Sequence, residues 1–464
     1  MGVLRDACAK LFGRSKFFTP ADPAFKGFPP VLRPIDSFYS RRLYFRYRDV
    51  WNRPIASAPG SEMDVCLREQ VPGTTRLKTT GKLKRCINLG SYNYLGMSGE
   101  TWEATCKEPV MAALTSMGSC GGGASMLQGG MTSLHKEVEA AVAAFVGKED
   151  AVVFNMGYGT NATTIPSLLG KGSLSVSDSL NHTSIVNGAR ASGAMVRVYA
   201  HNDVDDLDQV LRQAVADGQP RTHLPWTHIM VMTEGIFSME GEICKLPGVV
   251  AACKRYKAYL YVDEAHSIGA LGKHGRGVCE QTGVDPKDVD ILMGTFTKSF
   301  GAMGGYIAAS RALCDYLRSS SSGCILSTSM SPVVCAQILA SLRVITGQDG
   351  TSLGQEKLDA IKRNANYVRN RLIDMGCEVL GDEDSPVVPV MLYIPTKISM
   401  FSRMCLDRGL AVVVVGFPAV PLNAARTRIC ISAGHTREQL DRALVALEEV
   451  VDILKLRYRR SVFG

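Results

Sequence analysis

Five short apolar segments of five to eight residues alternate with helix-like segments in the middle of the chain, and this alternation most constrains the fold. The segments are AVVFN (151–155), SLSVSD (173–178), HIMVMTE (228–234), AYLYVDE (258–264) and DILMGTFT (290–297). Near-continuous apolar strands interleaved with helices indicate a mostly parallel sheet that helices cover on both faces. We therefore predict an α/β fold whose chemistry gathers at the carboxyl ends of the strands.

The rest of the sequence divides around this region. Residues 1–85 read as a basic arm in which eight prolines forbid long helices, and residues 86–345 form the predicted large domain. The turn-rich segment TGQDGTSLG then opens a smaller C-terminal α+β domain, residues 346–464. Its predicted elements are a helix over Gln355–Met375, strands at 387–393, 411–415 and 428–432, and a final helix from Thr436.

The net charge of +8 is concentrated at the two ends. Residues 1–53 hold eleven Lys and Arg against four Asp, and the last fourteen residues add a further +3. A basic envelope on a nearly neutral body is typical of contact with an anionic surface such as a membrane. Solvated arms with no partner fit the charge equally well.

Three further features set the class of protein. The chain has no run of 18 apolar residues and no signal-peptide core near its start, so we expect no membrane-spanning helix. Its 14 cysteines include no C-x-x-C pair, which argues against a zinc site and against a secreted disulfide framework. We expect reduced thiols in a protein that faces the cytosol.

The turn after the first strand contains Gly157-x-Gly159-x-x-Ala162, with Asp178 about twenty residues on. This pattern formally matches the dinucleotide fingerprint of nicotinamide oxidoreductases. Its physical meaning is more general, because small residues let the backbone N–H groups of a helix N-terminus approach any phosphate. We interpret it as a phosphate cup, with a plain tight turn as the alternative.

Two other strand ends carry an aspartate and a lysine. Val262-Asp263-Glu264-Ala265-His266 spells the DEAH box of helicases, but the sequence has no GxxxxGK[ST] loop, and no nucleic-acid partner is expected. A strand-end Asp is often only a cap, and a lysine beside hydroxyls is usually a surface residue. Lys298, however, follows an apolar strand and precedes three glycines, so a packed pocket can keep its amine neutral and nucleophilic.

These strand ends together supply what pyridoxal phosphate needs. Lys298 can form an imine, Asp263 can keep a pyridine nitrogen protonated, and the glycines can hold the phosphate. His182, in SDSLNH, is placed to stack on the cofactor ring, although a lone His is more often structural. Arg426 and Arg428 begin a C-terminal strand and could clamp a substrate carboxylate.

The motifs NLGSYNYLG, MGYGTN, SDSLNH, EGIFSMEGE, VDEAHSIGALG, GTFTKSFG and RICISAGHT together resemble the α-oxoamine synthases, from about Tyr39 to Leu456. That family has the fold of type I pyridoxal-phosphate transferases and condenses an amino acid with an acyl-CoA, releasing carbon dioxide. The stretches NRPI, QPRTHLPW and VVVVGFPAVP are similar to the lysine-bearing chains of a eukaryotic heterodimeric member that uses L-serine.

The resemblance implies roles by position. Lys298 is the Schiff-base lysine and later the acid/base at the substrate Cα, and His182 is the catalytic ring-stacking histidine. Arg428 binds the substrate carboxylate, and Asn93 is a weaker substrate-binding candidate. The remaining cofactor contacts implied are Gly157, Tyr158, Ser238, Asp263, His266, Thr295, Thr297 and Thr328, with Ser327 or Thr328 reaching a neighbouring subunit's site.

The implied reaction is the decarboxylating condensation of L-serine with palmitoyl-CoA to 3-ketosphinganine, the first step of sphingolipid biosynthesis. The implied partner is a related subunit without the lysine, or a second copy, on the cytosolic face of the endoplasmic reticulum membrane. Alternatives are a sister enzyme that uses glycine or alanine and a non-catalytic scaffold of a membrane complex. Two departures from the family pattern are Met126, where an arginine is usual, and Val420, where PATP has threonine.

Overall fold

The computed structural model describes residues 44–459, except for residues 73, 75 and 121 and the side chain of Arg46. Most of the predicted basic arm, residues 1–43, and the last five residues therefore lie outside the described part of the chain. No helix among the described residues combines the length and the apolar character needed to cross a membrane.

The strands of the described residues form three sheets. They are β1 (Glu62–Gln70), β2 (Leu77–Asn88), β3 (Asp150–Phe154), β4 (Leu174–Asp178), β5 (Met195–Tyr199), β6 (Ile229–Glu234), β7 (Tyr259–Asp263), β8 (Ile291–Thr295), β9 (Gly305–Ala309), β10 (Val387–Tyr393), β11 (Leu410–Ala411), β12 (Val413–Val415) and β13 (Ala425–Cys430). The central sheet has seven strands in the order β3-β9-β8-β7-β6-β4-β5, and two three-stranded sheets have the orders β1-β2-β11 and β10-β13-β12.

The five apolar segments of the sequence are confirmed as β3, β4, β6, β7 and β8. Strands β5, β4, β6, β7 and β8 run parallel, whereas β9 pairs antiparallel with both β8 and β3. The sheet is mostly parallel, as predicted, and its central strands are buried on both faces, which explains their unbroken apolar runs. The carboxyl ends of β4, β6, β7 and β8 consequently meet at one edge of the sheet.

Helices cover both faces of the central sheet and one side of the C-terminal sheet. The last helix begins at a capping box in which Thr436 and Gln439 bond to each other's backbone, as expected for a helix starting near Thr436. The helices are α1 (Phe45–Tyr47), α2 (Trp102–Thr105), α3 (Lys107–Met117), α4 (Ser133–Val146), α5 (Gly157–Leu168), α6 (Thr183–Ser192), α7 (Val204–Asp217), α8 (Leu246–Tyr256), α9 (Val278–Thr282), α10 (Arg311–Ser320), α11 (Ser322–Ile325), α12 (Pro332–Ile345), α13 (Leu353–Asp374), α14 (Pro395–Asp407) and α15 (Arg437–Leu454).

A hairpin in the N-terminal part of the chain pairs with a strand from the C-terminal part. Strands β1 and β2 pair antiparallel, and β11 adds to β2 in parallel. Most of this hairpin lies within residues 1–85, so the later part of the predicted arm is regular structure. The strand predicted at 411–415 is instead two short strands, because β11 pairs with β2 while β12 pairs with β13 in another sheet.

A buried charged cluster fixes the end of β4. Asp178 accepts hydrogen bonds from the backbone N–H groups of Leu180 and Asn202, both at 2.8 Å, and lies 2.9 Å from Nδ1 of His201. On the other side of that ring, Nε2 lies 3.4 Å from Glu242. Burial alone would lower the pKa of His201, but the two carboxylates outweigh it and raise the pKa to about 10.

This cluster predicts a pH dependence of stability. Because the folded-state pKa of His201 exceeds its ordinary value of 6.5, its stabilising contribution is fully present below pH 6.5 and is lost as the pH rises toward about 10. We expect His201→Gln to lower the free energy of unfolding by about 3 kcal/mol at pH 6.5 and by much less at pH 10. Urea denaturation of both proteins at several pH values measures the difference, and a difference that grows with pH would contradict the assignment.

Candidate active site

The carboxyl ends of the parallel strands bring three of the predicted side chains to one cleft. Asp263 ends β7 and pairs in register with Glu234, which ends β6. The backbone N–H of His182, just after β4, donates to the carboxylate of Glu234. Lys298 follows β8 by three residues. Strand topology alone therefore assembles the lysine, the aspartate and the histidine.

Lys298 has the electrostatic environment of a reactive amine. Burial lowers its pKa to about 8, although the negative charges of Asp263 and Glu234 act to raise it. The Nζ atom lies 5.7 Å from the centre of the Tyr92 ring. At neutral pH a much larger fraction of this amine is therefore deprotonated and nucleophilic than of an ordinary exposed lysine.

Asp263 is held as a hydrogen-bond acceptor. It is buried, and its carboxylate accepts from Nδ2 of Asn161 at 2.7 Å and from the backbone N–H of Ala265 at 2.9 Å. The hydroxyl of Tyr261 in turn donates to Oδ1 of Asn161 at 2.6 Å. These contacts orient the carboxylate without neutralising it, which suits a partner for a protonated ring nitrogen.

His182 caps α6 and contacts the predicted phosphate-end residue Tyr158. Its Nδ1 accepts from the backbone N–H of Ser184 at 3.3 Å and lies 2.7 Å from Ser184 Oγ. The rings of His182 and Tyr158 meet edge to face at 6.0 Å. Burial and the charge of Lys298 lower the pKa of His182 despite Asp263, so the imidazole is neutral at pH 7.

A second histidine and two tyrosines form the other wall of the cleft. Nδ1 of buried His266 lies 2.7 Å from the hydroxyl of Tyr94, and Tyr92 meets the His266 ring edge to face at 5.4 Å. Burial, together with the charge of Lys298, lowers the pKa of His266 well below its ordinary value. His266 is consequently a neutral, rigidly held ring.

The residues of the predicted phosphate cup lie together where α5 begins. A Cβ added to Gly157 would lie only 2.7 Å from Oγ1 of Thr295, so no other residue fits there without displacing the threonine. Oγ1 of Thr295 lies 2.8 Å from Oγ1 of Thr297 and 2.8 Å from the carbonyl of Gly304. Two hydroxyls thus converge on the N-terminus of a twelve-residue helix, an arrangement suited to a phosphate.

The two C-terminal arginines have different surroundings. Arg426 is satisfied by Glu240 at 3.0 Å and by two backbone carbonyls. Arg428 donates from Nη1 to the carbonyl of Ser238 at 3.2 Å, and its Nε has no hydrogen-bond partner in the described part of the chain although it is buried. Its guanidinium lies 4.7 Å from the centre of the Tyr92 ring. Arg428, and not Arg426, therefore has capacity left for a carboxylate.

Two predicted site residues are engaged elsewhere within this chain. Asn93 is buried, and its side chain donates to the carbonyl of Pro59 at 3.0 Å and accepts from the backbone of Ser98. Thr328 is exposed; its backbone bridges to Ser125, and its carbonyl accepts from Asn155 at 2.6 Å. Their roles toward a substrate and toward a neighbouring subunit stay predictions.

The two departures from the family pattern are structural here. Met126 begins a 3₁₀ turn, Met126–Gln128, and packs against both halves of the core around the central sheet. Val420 is buried in the loop between β12 and β13. In the dinucleotide-binding alternative, Asp178 would bind the ribose. Its carboxylate is already engaged by His201 and by two backbone N–H groups.

Sequence reasoning missed several residues that shape the cleft. Tyr92 and Tyr94 lie in SYNYLG and Asn161 in MGYGTN, so each stood inside a quoted motif. Their part was hidden because the contacts are long-range, such as the 172 residues that separate Tyr94 from His266. Glu234, whose pKa burial raises well above its ordinary value, was seen only as the end of a strand.

The cleft fits pyridoxal phosphate on three independent observations. The Gly157 turn with Thr295 and Thr297 suits the phosphate, the oriented carboxylate of Asp263 suits the pyridine nitrogen, and the amine of Lys298 suits the aldehyde. The fold and these residues define the class as that of pyridoxal-phosphate enzymes with an aminotransferase-type fold.

Comparison with known proteins agrees. Residues 84–447 match the family model of aminotransferase class I and II. The chain is 54% identical to long chain base biosynthesis protein 2a of Oryza sativa subsp. japonica, over 98% of this chain and 92% of that protein. It is 48% identical to serine palmitoyltransferase 2 of Dictyostelium discoideum, over 100% of this chain and 93% of that protein. The chain therefore belongs to the serine palmitoyltransferase and long chain base biosynthesis protein 2 family.

Solved structures of the family share the fold. A serine palmitoyltransferase of Sphingomonas wittichii superposes with a TM-score of 0.78 at 29% identity, covering 94% of this chain and 99% of that one. A serine palmitoyltransferase variant from S. paucimobilis, solved with bound PLP and myriocin, gives a TM-score of 0.79 at 30% identity, with 92% and 100% coverage. The resemblance and the fold class predicted from the sequence are confirmed.

Proposed function

We propose that the chain is a serine C-palmitoyltransferase, which condenses L-serine with palmitoyl-CoA to 3-ketosphinganine, carbon dioxide and CoA. The observation that carries this proposal is the grouping around Tyr92. One face of the cleft presents the amine of Lys298 at 5.7 Å from that ring, and the guanidinium of Arg428, with its unsatisfied Nε, lies at 4.7 Å. An α-amino acid needs both an amine-exchange partner and a carboxylate clamp, and the two groups lie against the same ring.

The residues present divide the work of holding the cofactor. Gly157, Thr295 and Thr297 would hold the phosphate, Asp263 the pyridine nitrogen, and Lys298 the aldehyde carbon. Pyridoxal phosphate supplies an electron sink that stabilises negative charge at the substrate Cα. His182, neutral and anchored at α6, would lie against the ring without adding positive charge to it.

Arg428 and Lys298 carry the chemistry on the amino acid. Arg428 binds the serine carboxylate through its guanidinium fork, which fixes the Cα–H bond relative to the lysine. Lys298 takes the Cα proton, the Cα–acyl carbon bond forms as the C–S bond of the thioester breaks, and CoA leaves as the thiolate, which takes a proton from solvent. Loss of the carboxylate as carbon dioxide then leaves a carbon to which Lys298 returns a proton.

A comparison of how different amino acids change the absorption spectrum of the cofactor tests the proposal. We expect L-serine to change the absorption of the purified protein at lower concentration than glycine or L-alanine, and CoA release to require both L-serine and palmitoyl-CoA. A stronger response to glycine or alanine would assign the chain to a sister activity. Absence of any cofactor absorption would indicate a non-catalytic scaffold.

A partner chain is part of the proposal. Thr328 faces solvent between two strongly exposed apolar side chains, Leu127 and Leu326, which are 60% and 80% exposed. The bridge between Ser125 and Thr328 places the two leucines on adjoining segments. Exposed apolar side chains beside a predicted cofactor ligand support a subunit interface here. We propose a related chain without the lysine as the partner, with a second copy as the alternative.

The proposed location is the cytosolic face of the endoplasmic reticulum membrane. The +7 charge of residues 1–53 supports it, because each Lys or Arg near an anionic surface contributes about 1 kcal/mol. Salt-sensitive flotation of the protein with anionic vesicles, and copurification of a related chain from the native source, test the two parts. Full activity from a homodimer that does not bind vesicles would overturn both.

A further inference from the structure

Asn161 is the centre of a buried hydrogen-bond chain that links two residues of the cofactor site. It lies one turn into α5, four residues after Gly157, and only 1% of its surface is exposed. Its amide nitrogen donates to Asp263 at 2.7 Å and to Ser184 Oγ at 2.9 Å, and its oxygen accepts from the Tyr261 hydroxyl at 2.6 Å. Both N–H hydrogens of the amide are therefore in use, and its oxygen accepts one hydrogen bond.

The direction of every bond in this chain is fixed. Only the amide nitrogen can donate to the Asp263 carboxylate, so the oxygen of Asn161 must face Tyr261. Since Ser184 Oγ receives a hydrogen from Asn161, its own hydrogen is free for Nδ1 of His182, 2.7 Å away. The backbone N–H of Ser184 also donates to that atom. Nδ1 of His182 is therefore an acceptor, and the proton of the neutral ring is on Nε2.

We propose that Asn161 is a positioning residue that keeps Asp263 an oriented acceptor and His182 in its Nε2–H tautomer. The two functions belong together because a neutral imidazole can lie against a protonated pyridine ring, whereas an imidazolium would repel it. One amide sets both by donating in two directions. Neither effect requires Asn161 to contact the cofactor.

Two substitutions separate the two branches. Ser184→Ala removes the 2.7 Å contact from the serine hydroxyl to His182 and leaves the Asn161–Asp263 bond, so that only the longer 3.3 Å backbone bond still holds Nδ1 as an acceptor. We expect a mixture of His182 tautomers in which the Nδ1–H form gains population, with pyridoxal-phosphate affinity changed less than about threefold. Asn161→Ala breaks both branches: Oδ2 of Asp263 loses its amide donor while Oδ1 keeps the backbone N–H of Ala265, and the Tyr261 hydroxyl loses its acceptor. We expect the same tautomer mixture and an affinity for pyridoxal phosphate about ten- to a hundredfold weaker.

The readout is nitrogen-15 NMR of the full chain with labelled histidines, before and after addition of pyridoxal phosphate. The resonance that disappears in His182→Gln identifies the ring. Asn366→Ala is the matched control, because Asn366 is also a helical asparagine that bonds an aspartate, Asp384, at 2.9 Å but lies in α13. We expect it to alter neither readout. Asn161→Leu, which has nearly the same side-chain size but no hydrogen-bonding atom, replaces Asn161→Ala if the alanine variant does not fold.

The outcomes decide the proposal. Protonated Nδ1 in the unmodified protein, unchanged tautomer and affinity in the Asn161 variants, or equal loss of affinity in both single variants would each overturn it. The proposal rests on the pyridoxal-phosphate chemistry of the proposed function. The tautomer is nevertheless measured without serine or acyl-CoA, so a failure of the serine assignment leaves this test intact.

Discussion

Lys298→Ala is expected to abolish the condensation while leaving pyridoxal phosphate bound noncovalently. A positioned proton-transfer group contributes about 10²–10⁴-fold in rate, and the lysine is also the covalent attachment point, so the loss should reach at least that size. Asp263, Thr295 and Thr297 remain to hold the cofactor. Release of CoA from L-serine and palmitoyl-CoA measures turnover, and a dialysis-resistant absorbance measures binding.

Borohydride reduction tests the attachment directly. The unmodified protein should carry the cofactor on the peptide that contains Lys298, and Lys298→Ala should carry none. Lys148→Ala is the matched control, because Lys148 is another partly buried lysine whose pKa burial lowers, at the opposite edge of the central sheet. Attachment to any other lysine would contradict the central assignment.

The lowered pKa adds an expectation for the cofactor-free protein. With a pKa of about 8, the Lys298 amine should react with an acylating reagent at a midpoint near pH 8, whereas ordinary exposed lysines titrate near 10.4. Asp263→Asn should lower that midpoint, because the Asp263 charge stabilises the protonated amine. An unchanged midpoint would mean that burial alone sets the reactivity.

Much of the central domain follows from residue pattern. Strands β4, β6, β7 and β8 are buried on both faces, so their apolar runs are continuous and readable. Strand β5 was not predicted, because it is an edge strand in which four of the five residues are not buried, whereas the other edge strand, β3, is almost fully buried. The hairpin of β1 and β2 was missed for a similar reason, since β2 is largely exposed and rich in Lys and Thr.

For the site residues, too, local pattern was readable from the sequence and long-range contacts were not. Lys298, Asp263 and His182 are predictable together because each follows a strand, and parallel strands end at one edge. Tyr92 and Asn161 are not, because their contribution depends on which way a side chain points across hundreds of residues of sequence. For that reason the residue pattern left the choice between Arg426 and Arg428 open, and only the family resemblance pointed to Arg428. Only the structure shows that Glu240 occupies the first.

That difference between the two arginines gives the sharpest test of substrate binding. Arg428→Ala should weaken the serine-dependent change in the cofactor spectrum by about ten- to more than a hundredfold, since a charge-assisted contact contributes about 1.5–3 kcal/mol. Arg428→Lys should recover only part of this, because an ammonium lacks the planar fork that binds a carboxylate through two parallel bonds.

Arg426→Lys is the matched control, two residues away on β13 and equally buried, at 6% exposure for each arginine. It alters the pair with Glu240 and should lower the unfolding temperature while the half-saturating serine concentration stays within about twofold. Arg428→Ala should show a large loss of the serine response with a smaller loss of unfolding temperature, because among the described residues it loses no ion pair but only the Nη1 bonds to the Ser238 carbonyl and the Met239 sulfur. If Arg426→Lys weakened the serine response while Arg428→Ala bound serine normally, the carboxylate clamp would be Arg426, and the assignment to Arg428 would be wrong.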